Sequence, residues 1–266
     1  MDYTLYLDES GDFNEVTGLP SIIAGYLVNG LEYAMIDNSL NPKYEKEDKF
    51  GDKAKKSEQN AYSLLKSTKD SDLRFKNIEI GAFHAKEEDD KKTLYSYIDK
   101  LITSLVADSK NKIVVFENEK NRRIISADIT YLNVMAEGII KLLEKLAEGD
   151  NDKKIKLKVI FAKRLNTEKS SDHSVFIIKN DEYKQRIQEK LNLMMHNLPD
   201  LKRRKIEVEI PDFLSSARES KRLMIADAIC FAYRGGRCKE LQELVTRLLA
   251  TQGYHCLVNK QEWQED

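Results

Sequence analysis

The spacing of apolar residues along the chain predicts strands that give way to alternating helices and strands. Short apolar runs have the length and composition of β-strands at 3–7, 21–28, 78–83, 112–117, 155–161 and 205–210. Apolar residues recur every three or four positions, as in helices that bury one face, over about 94–105, 126–148, 181–197, 221–233 and 240–249. The first two strands should pair antiparallel, although the loop between them is too long for a tight hairpin.

The order of these elements predicts the fold class. Three opening strands followed by alternating helices and strands indicate an α/β fold, in which a mixed sheet is flanked by helices. We expect a single domain over 1–266, a length that can bury a substantial core. The polar, lysine-rich stretch at about 31–74 predicts an insertion at the periphery, because it has little apolar area to bury. Residues from about 237 to 266 predict a helical C-terminal extension.

Composition narrows the class of protein. The chain is 41% hydrophobic and 33% charged, which excludes a wholly disordered chain. Its 44 basic residues balance 45 acidic ones, so nucleic acid could be attracted only by a local basic patch. The densest basic cluster covers 202–205, and Lys163 and Arg164 follow another strand. Each could contact a phosphate backbone or form an ordinary solvated surface.

Cysteine usage and hydropathy indicate the compartment. The three cysteines show no Cys-x-x-Cys pair, which argues against a disulfide framework or a structural zinc site. Neither a signal peptide nor an apolar run of membrane-spanning length is evident. We therefore expect a cytoplasmic protein without a membrane partner. The sequence does not indicate its oligomeric state.

The first candidate for chemistry lies where the first strand ends. Asp8 follows apolar residues, and a carboxylate buried there needs a metal, a basic partner or hydrogen-bond donors. Gly11 permits a sharp turn that would bring Glu9, Ser10 or Asp12 to the same point, where they would contact a substrate. Alternatively, Asp8 and Ser10 only make turn hydrogen bonds.

A second candidate is a single acid in the middle of an almost wholly apolar helix. Asp227 interrupts the apolar run 223–232, and a helix that is apolar around most of its surface is buried. The carboxylate is therefore either functional or paired with a basic residue, for which Arg222, Arg234 and Arg237 are available.

Further acids lie at the end of the strand 112–117. Glu117 and Glu119 would point to the same side if the strand continues that far. A magnesium or manganese site that cleaves phosphodiesters needs three or four acids converging from different elements. We expect Asp8, Asp227 and Glu117 to bind the metal, with Glu119 as the alternative to Glu117.

His84 follows the predicted strand 78–83 and could act as a general base, or orient a phosphate together with Lys86. It could equally be an ordinary histidine at a strand end. His173, His196 and His255 have no supporting context and are expected at the surface. The motifs of serine hydrolases, nucleoside triphosphatases and dinucleotide-binding enzymes do not occur, which argues against those classes.

Three segments together resemble a bacterial family catalogued as domain of unknown function 3800. They are 6–12, which reads Tyr-Leu-Asp-Glu-Ser-Gly-Asp, 83–86 and 225–229. The resemblance extends from about residue 3 to residue 236. It implies a ribonuclease H-like fold, in which the first strand, a later central strand and the last helix supply metal-binding acids.

Carried over to this chain, the resemblance implies Asp8 and Asp227 as ligands, with Glu117 or Glu119 assigned from strand order. One departure concerns the strand before the third helix, where family members often have an acid. This chain has Ala162, Lys163 and Arg164 there.

The expected function is that of a divalent-metal-dependent nuclease or phosphodiesterase that acts on nucleic acid with Mg²⁺ or Mn²⁺. Asp8, Asp227, Glu117, Glu119 and His84 are its candidate catalytic residues. Two alternatives stay open: a non-catalytic ribonuclease H-like module that binds nucleic acid or protein, and a hydrolase of a small phosphorylated molecule.

Overall fold

The computed structural model describes residues 1–11, 13, 21–29, 88–107, 109–118, 127–148, 154–162, 180–198, 205–210, 221–234 and 238–258. Over these ranges the strands are β1 Asp2–Ser10, β2 Ile22–Asn29, β3 Lys112–Asn118, β4 Ile155–Phe161, β5 Ile206–Glu209 and β6 Tyr254–Val258. The helices are α1 Glu88–Leu105, α2 Ala127–Ala147, α3 Asn180–Asn197, α4 Lys221–Arg234 and α5 Lys239–Gln252. No helix in this part of the chain is long and apolar enough to cross a membrane.

The strands form one mixed sheet in the order β5-β4-β1-β2-β3-β6. β2 runs antiparallel to its neighbours β1 and β3, and every other neighbouring pair is parallel. β1 is therefore a central strand whose carboxyl end lies between an antiparallel and a parallel neighbour. The α/β class, the mixed sheet and the antiparallel pairing of the first two strands are confirmed.

The sheet has a hydrophobic core on each face. Strand residues alternate between the faces. Tyr6 and Val115 belong to the core shared with α1, α4 and α5, whereas Leu5 and Phe116 belong to the core shared with α2 and α3. Because the helices flank both faces, the central strands are buried throughout and only their ends can reach a ligand.

The predicted strands and helices within the described ranges are present, with ends that differ by a few residues. The predicted strand 78–83 and the predicted insertion at 31–74 lie outside the described residues. One correction concerns the C-terminal extension, which was expected to be helical. Its helix α5 is followed by β6, which pairs with β3 at the edge of the sheet.

Side-chain contacts between residues far apart in the sequence explain why the sequence does not predict β6. Lys141 and Lys145 on α2 donate hydrogen bonds to the carbonyl oxygens of Leu257 (2.5 Å) and His255 (2.8 Å). These bonds satisfy carbonyl groups of a strand that lies at the edge of the described sheet. β6 has only five residues, and their apolar and polar positions do not alternate strongly enough to predict a strand. Tertiary contacts therefore stabilise this strand.

The contact between α2 and β3 gives a test of the core. A Cβ atom added at Gly138 would lie 2.2 Å from the nearest ring carbon of Phe116. We expect Gly138→Ala to lower the free energy of unfolding by about 1–3 kcal/mol, the usual cost of overpacking. Alanine is the better helix former by about 1 kcal/mol, so helix propensity alone predicts the opposite sign. Urea unfolding measures the difference.

Glu144→Ala is the matched control, because Glu144 is exposed on the same helix. This exchange should change the free energy of unfolding by no more than about 0.5 kcal/mol. A Gly138→Ala variant as stable as the parent would show that Phe116 and α2 do not pack as described.

Candidate carboxylate site

Helix α4 packs closely on β1 and β2. Its small residues Ala226 and Ala228 are completely buried, which agrees with close packing around the helix. The thiol of Cys230 donates to the carbonyl oxygens of Asp8, at 3.1 Å, and Ala24, at 3.4 Å. A side chain as short as cysteine can reach two strands only because the helix lies directly above them.

The helix follows β1 towards its carboxyl end. Near the start of α4 the guanidinium carbon of Arg222 lies 5.7 Å from the centre of the Tyr6 ring. At the other end Arg234 Nη1 donates to Ser10 Oγ over 3.4 Å. Asp227 lies between these two contacts along the helix and therefore at the level of Asp8. The structure brings together the two acids that the sequence analysis selected, here called the carboxylate pair.

The electrostatics of Asp8 reflect this proximity. Burial raises the pKa of its carboxyl group well above the ordinary value, and the negative charge of Asp227 raises it further. The backbone N–H of Glu9 donates to Asp8 Oδ1 over 2.8 Å and favours the ionised form, but it does not outweigh the other two effects. Burial and the mutual repulsion of the two carboxyl groups thus make full ionisation of the carboxylate pair costly.

Cys230 borders the carboxylate pair. Burial raises the pKa of its thiol well above the ordinary value, and the charges of Asp8 and Asp227 add to the shift. The thiol therefore stays protonated at neutral pH. It acts as a hydrogen-bond donor between helix and sheet, since nucleophilic attack needs the thiolate.

Strand alternation determines which of the other predicted residues share the site. Ser10 lies on the same face of β1 as Asp8, and its contact with Arg234 agrees with that placement. Glu9 lies on the opposite face, beside the core formed with α2 and α3. Four predicted residues lie outside the described part of the chain: Asp12, His84, Lys86 and Glu119.

The position next to Asp8 on β4 carries no acid. Phe161 is in register with Leu7, and Ala162 N donates to Leu7 O over 3.1 Å, so Ala162 neighbours Asp8. The methyl group of Ala162 faces the same core as the carboxylate pair. Among the residues that the structure describes, no group of three or more histidine, cysteine, aspartate or glutamate residues could hold a metal ion.

Glu117 takes part in a different cluster. Its Oε2 atom accepts hydrogen bonds from Tyr233 OH at 2.6 Å and from His255 Nε2 at 2.9 Å. The bond from His255 is the main reason that the pKa of Glu117 is lowered, with a further contribution from Tyr233. The structure thus does not bring Glu117 together with the carboxylate pair, although it faces the same side of the sheet.

The register of the sheet gives the distance between the backbones of Asp8 and His255. Asp8, Ala24, Val115 and His255 form one row across β1, β2, β3 and β6. Three spacings between neighbouring strands amount to about 14 Å. The sequence predicts His255 at the surface, because its partners Glu117 and Tyr233 are brought to it only by the pairing of β6 with β3.

The raised pKa of Asp8 predicts how stability varies with pH. An unfolded aspartate titrates near pH 4 (about 3.9), whereas the folded protein keeps this proton to higher pH. Stability must therefore fall as the pH rises through that interval, since the unfolded state then binds fewer protons than the folded state. Asp8→Asn keeps the size of the side chain and an acceptor for Glu9 N–H, and it cannot ionise.

We expect Asp8→Asn, with divalent ions chelated, to be more stable than the parent at neutral pH by about 1–3 kcal/mol. The difference should vanish near pH 4. Urea unfolding between pH 4 and pH 8 measures it. Asp99→Asn, at an exposed aspartate of α1, is the control and should change little. A difference that does not vary with pH would show that Asp8 is not the titrating group.

Comparisons with known proteins give no match for this chain, whether with family models, curated proteins or solved structures. The resemblance to domain of unknown function 3800 therefore rests on the three sequence segments alone.

Proposed function

We propose that this protein is a divalent-metal-dependent phosphodiesterase of the nuclease type, in which Asp8 and Asp227 bind Mg²⁺ or Mn²⁺. The observation that carries the proposal is the carboxylate pair itself. Two acids 219 positions apart in the sequence meet at a half-buried position, where the charge of one raises the pKa of the other. A divalent ion would neutralise both charges and remove the cost of keeping them together.

The donor set fits such an ion. Magnesium in phosphate-processing sites is commonly held by one or two carboxylates, with water molecules and substrate phosphate oxygens as the remaining ligands. Asp8 and Asp227 meet that requirement without an acid on β4, where Ala162 stands. Bound there, the ion would supply an activated water and stabilise the leaving oxygen of a phosphodiester.

Arg234 supports a phosphate-bearing substrate. Its contact with Ser10 places a guanidinium group at the end of β1 that carries Asp8. Guanidinium groups bind phosphate oxygens through paired N–H donors, with stronger geometric preference than an ammonium group. In our proposal Ser10 and Arg234 hold the substrate phosphate beside the carboxylate pair. The roles expected for His84, Lys86, Asp12 and Glu119 stay predictions.

The position of the carboxylate pair within the sheet also supports a binding site. Asp8 and Ser10 lie at the carboxyl end of β1, between antiparallel β2 and parallel β4. In α/β sheets, ligands bind at the carboxyl ends of strands where the direction of chain connection changes. A ribonuclease H-like fold, with one acid on the central first strand and one on a late helix, is the arrangement we propose for this sheet.

Asp227→Asn tests the proposal directly. A neutral amide is a much poorer magnesium ligand than a carboxylate, so metal-dependent cleavage should be lost. The melting temperature without metal should be near normal or higher, and stabilisation by added Mg²⁺ or Mn²⁺ should disappear. Cleavage of fluorescent DNA and RNA oligonucleotides and thermal melting with and without each ion give both readouts. If Asp227 is instead half of a structural ion pair, its loss should cost about 3–5 kcal/mol with or without metal.

Asp99→Asn is again the matched control and should cleave and respond to metal as the parent does. A parent protein that is stabilised by metal but cleaves nothing would favour the non-catalytic module. Cleavage of a small ester such as bis(p-nitrophenyl) phosphate, with oligonucleotides left intact, would favour the small-molecule hydrolase. An Asp227→Asn variant that stays stable, responds to metal and cleaves would remove Asp227 from the site.

A further inference from the structure

The second polar cluster on the same sheet face joins three elements. Glu117 comes from β3, Tyr233 from α4 and His255 from β6. Glu117 Oε2 lies 2.6 Å from Tyr233 OH and 2.9 Å from His255 Nε2, and the last two atoms are 3.2 Å apart. Three atoms that are each able to donate a lone pair to a metal ion therefore converge on one point. We call Glu117, Tyr233 and His255 the three-donor cluster.

The three distances define where an ion could sit. A triangle with sides of 2.6, 2.9 and 3.2 Å has its corners about 1.7 Å from its centre. An ion a little more than 1 Å above the plane would then lie about 2.1 Å from all three atoms, which is the length of first-row metal bonds to nitrogen and oxygen. Binding would require the His255 tautomer that carries its proton on Nδ1, because Nε2 donates to Glu117 in the hydrogen-bond network.

The same triangle indicates the coordination number. Seen from such an ion, neighbouring donors would be separated by roughly 80–100°, close to the right angles of an octahedron and below the tetrahedral angle that zinc favours. Three donors on one face of an octahedron leave three positions for water or a ligand. The side chains of Glu117 and His255 are 23% and 35% exposed, so solvent can reach the cluster.

We propose that Glu117, Tyr233 and His255 form a second metal site, for a divalent first-row transition ion with six ligands. An imidazole nitrogen favours such ions over Mg²⁺, whose ligands are oxygen atoms. The backbones of Asp8 and His255 are about 14 Å apart, by three strand spacings, and Asp227 and Tyr233 are about 9 Å apart along α4, by six helical positions. Both distances are too large for a two-metal centre, in which the ions lie about 4 Å apart. The second site would therefore share no ion with the carboxylate pair and would take no part in the proposed hydrolysis.

The competing explanation is a hydrogen-bond network that ties β6 and α4 to β3 and binds no ion. Such a network is complete without a metal ion, so it predicts no preference for transition ions over Mg²⁺ at these residues. A metal site needs the imidazole nitrogen, and it should bind transition ions in preference to Mg²⁺.

Titration of the full chain with Co²⁺ separates these explanations. The experiment uses the Asp8→Asn, Asp227→Asn double variant, so that the carboxylate pair cannot contribute. We expect one Co²⁺ to bind, with the weak absorption bands of six-coordinate cobalt, and excess Mg²⁺ should not displace it. Replacing His255 with glutamine should weaken binding by at least tenfold, since even the groups that orient metal ligands contribute about 10–100-fold.

His196→Gln is the matched control, because His196 is exposed on α3 and should not affect Co²⁺ affinity. Tyr233→Phe should weaken binding while keeping the aromatic packing of α4. If His255→Gln fails to fold, Mn²⁺ added to the otherwise unmodified double variant should broaden the imidazole NMR signals of His255 before those of His196. Co²⁺ binding that is absent, that survives His255→Gln, or that Mg²⁺ displaces would overturn the proposal.

Discussion

The close approach of α4 to the sheet is the constraint on which both clusters depend. The Cys230 thiol reaches backbone carbonyls of both β1 and β2, so the helix backbone lies close to both strands. A helix held at this distance brings every polar side chain on its inner face against a strand. Asp227 thereby reaches the level of Asp8, and Tyr233 reaches Glu117.

The proximity of Asp8 and Asp227 lowers the stability of the folded protein next to its well-packed cores. The two cores on either face of the sheet stabilise the fold, whereas the acids at the end of β1 oppose it whenever both are ionised. Proteins commonly tolerate such a cost at functional positions and compensate for it elsewhere. The cost itself is therefore part of the argument for a cation at the carboxylate pair.

The sequence is sufficient to predict Asp8 and Asp227 as site residues, because each is an acid in an otherwise apolar element. Burial of the surrounding residues follows from periodicity alone, and a buried acid demands a partner. The three-donor cluster could not be found in this way. The sequence predicts Glu117 beside Asp8 and Asp227, which is wrong, because the register of the strands determines which acids meet. His255 belongs to an edge strand that is defined only by its pairing with β3.

The order of residues along α4 connects the two clusters. Asp227, Cys230 and Arg234 are separated by three and four positions, which places them on one face of the helix, and Tyr233 lies beside Arg234 at its end. A helix is a rigid element, so its position relative to the sheet cannot be adjusted for one cluster without affecting the other. An ion that fixes α4 at either cluster would therefore favour the geometry that the other requires. By linkage, that effect has to be equal in both directions for the binding free energies.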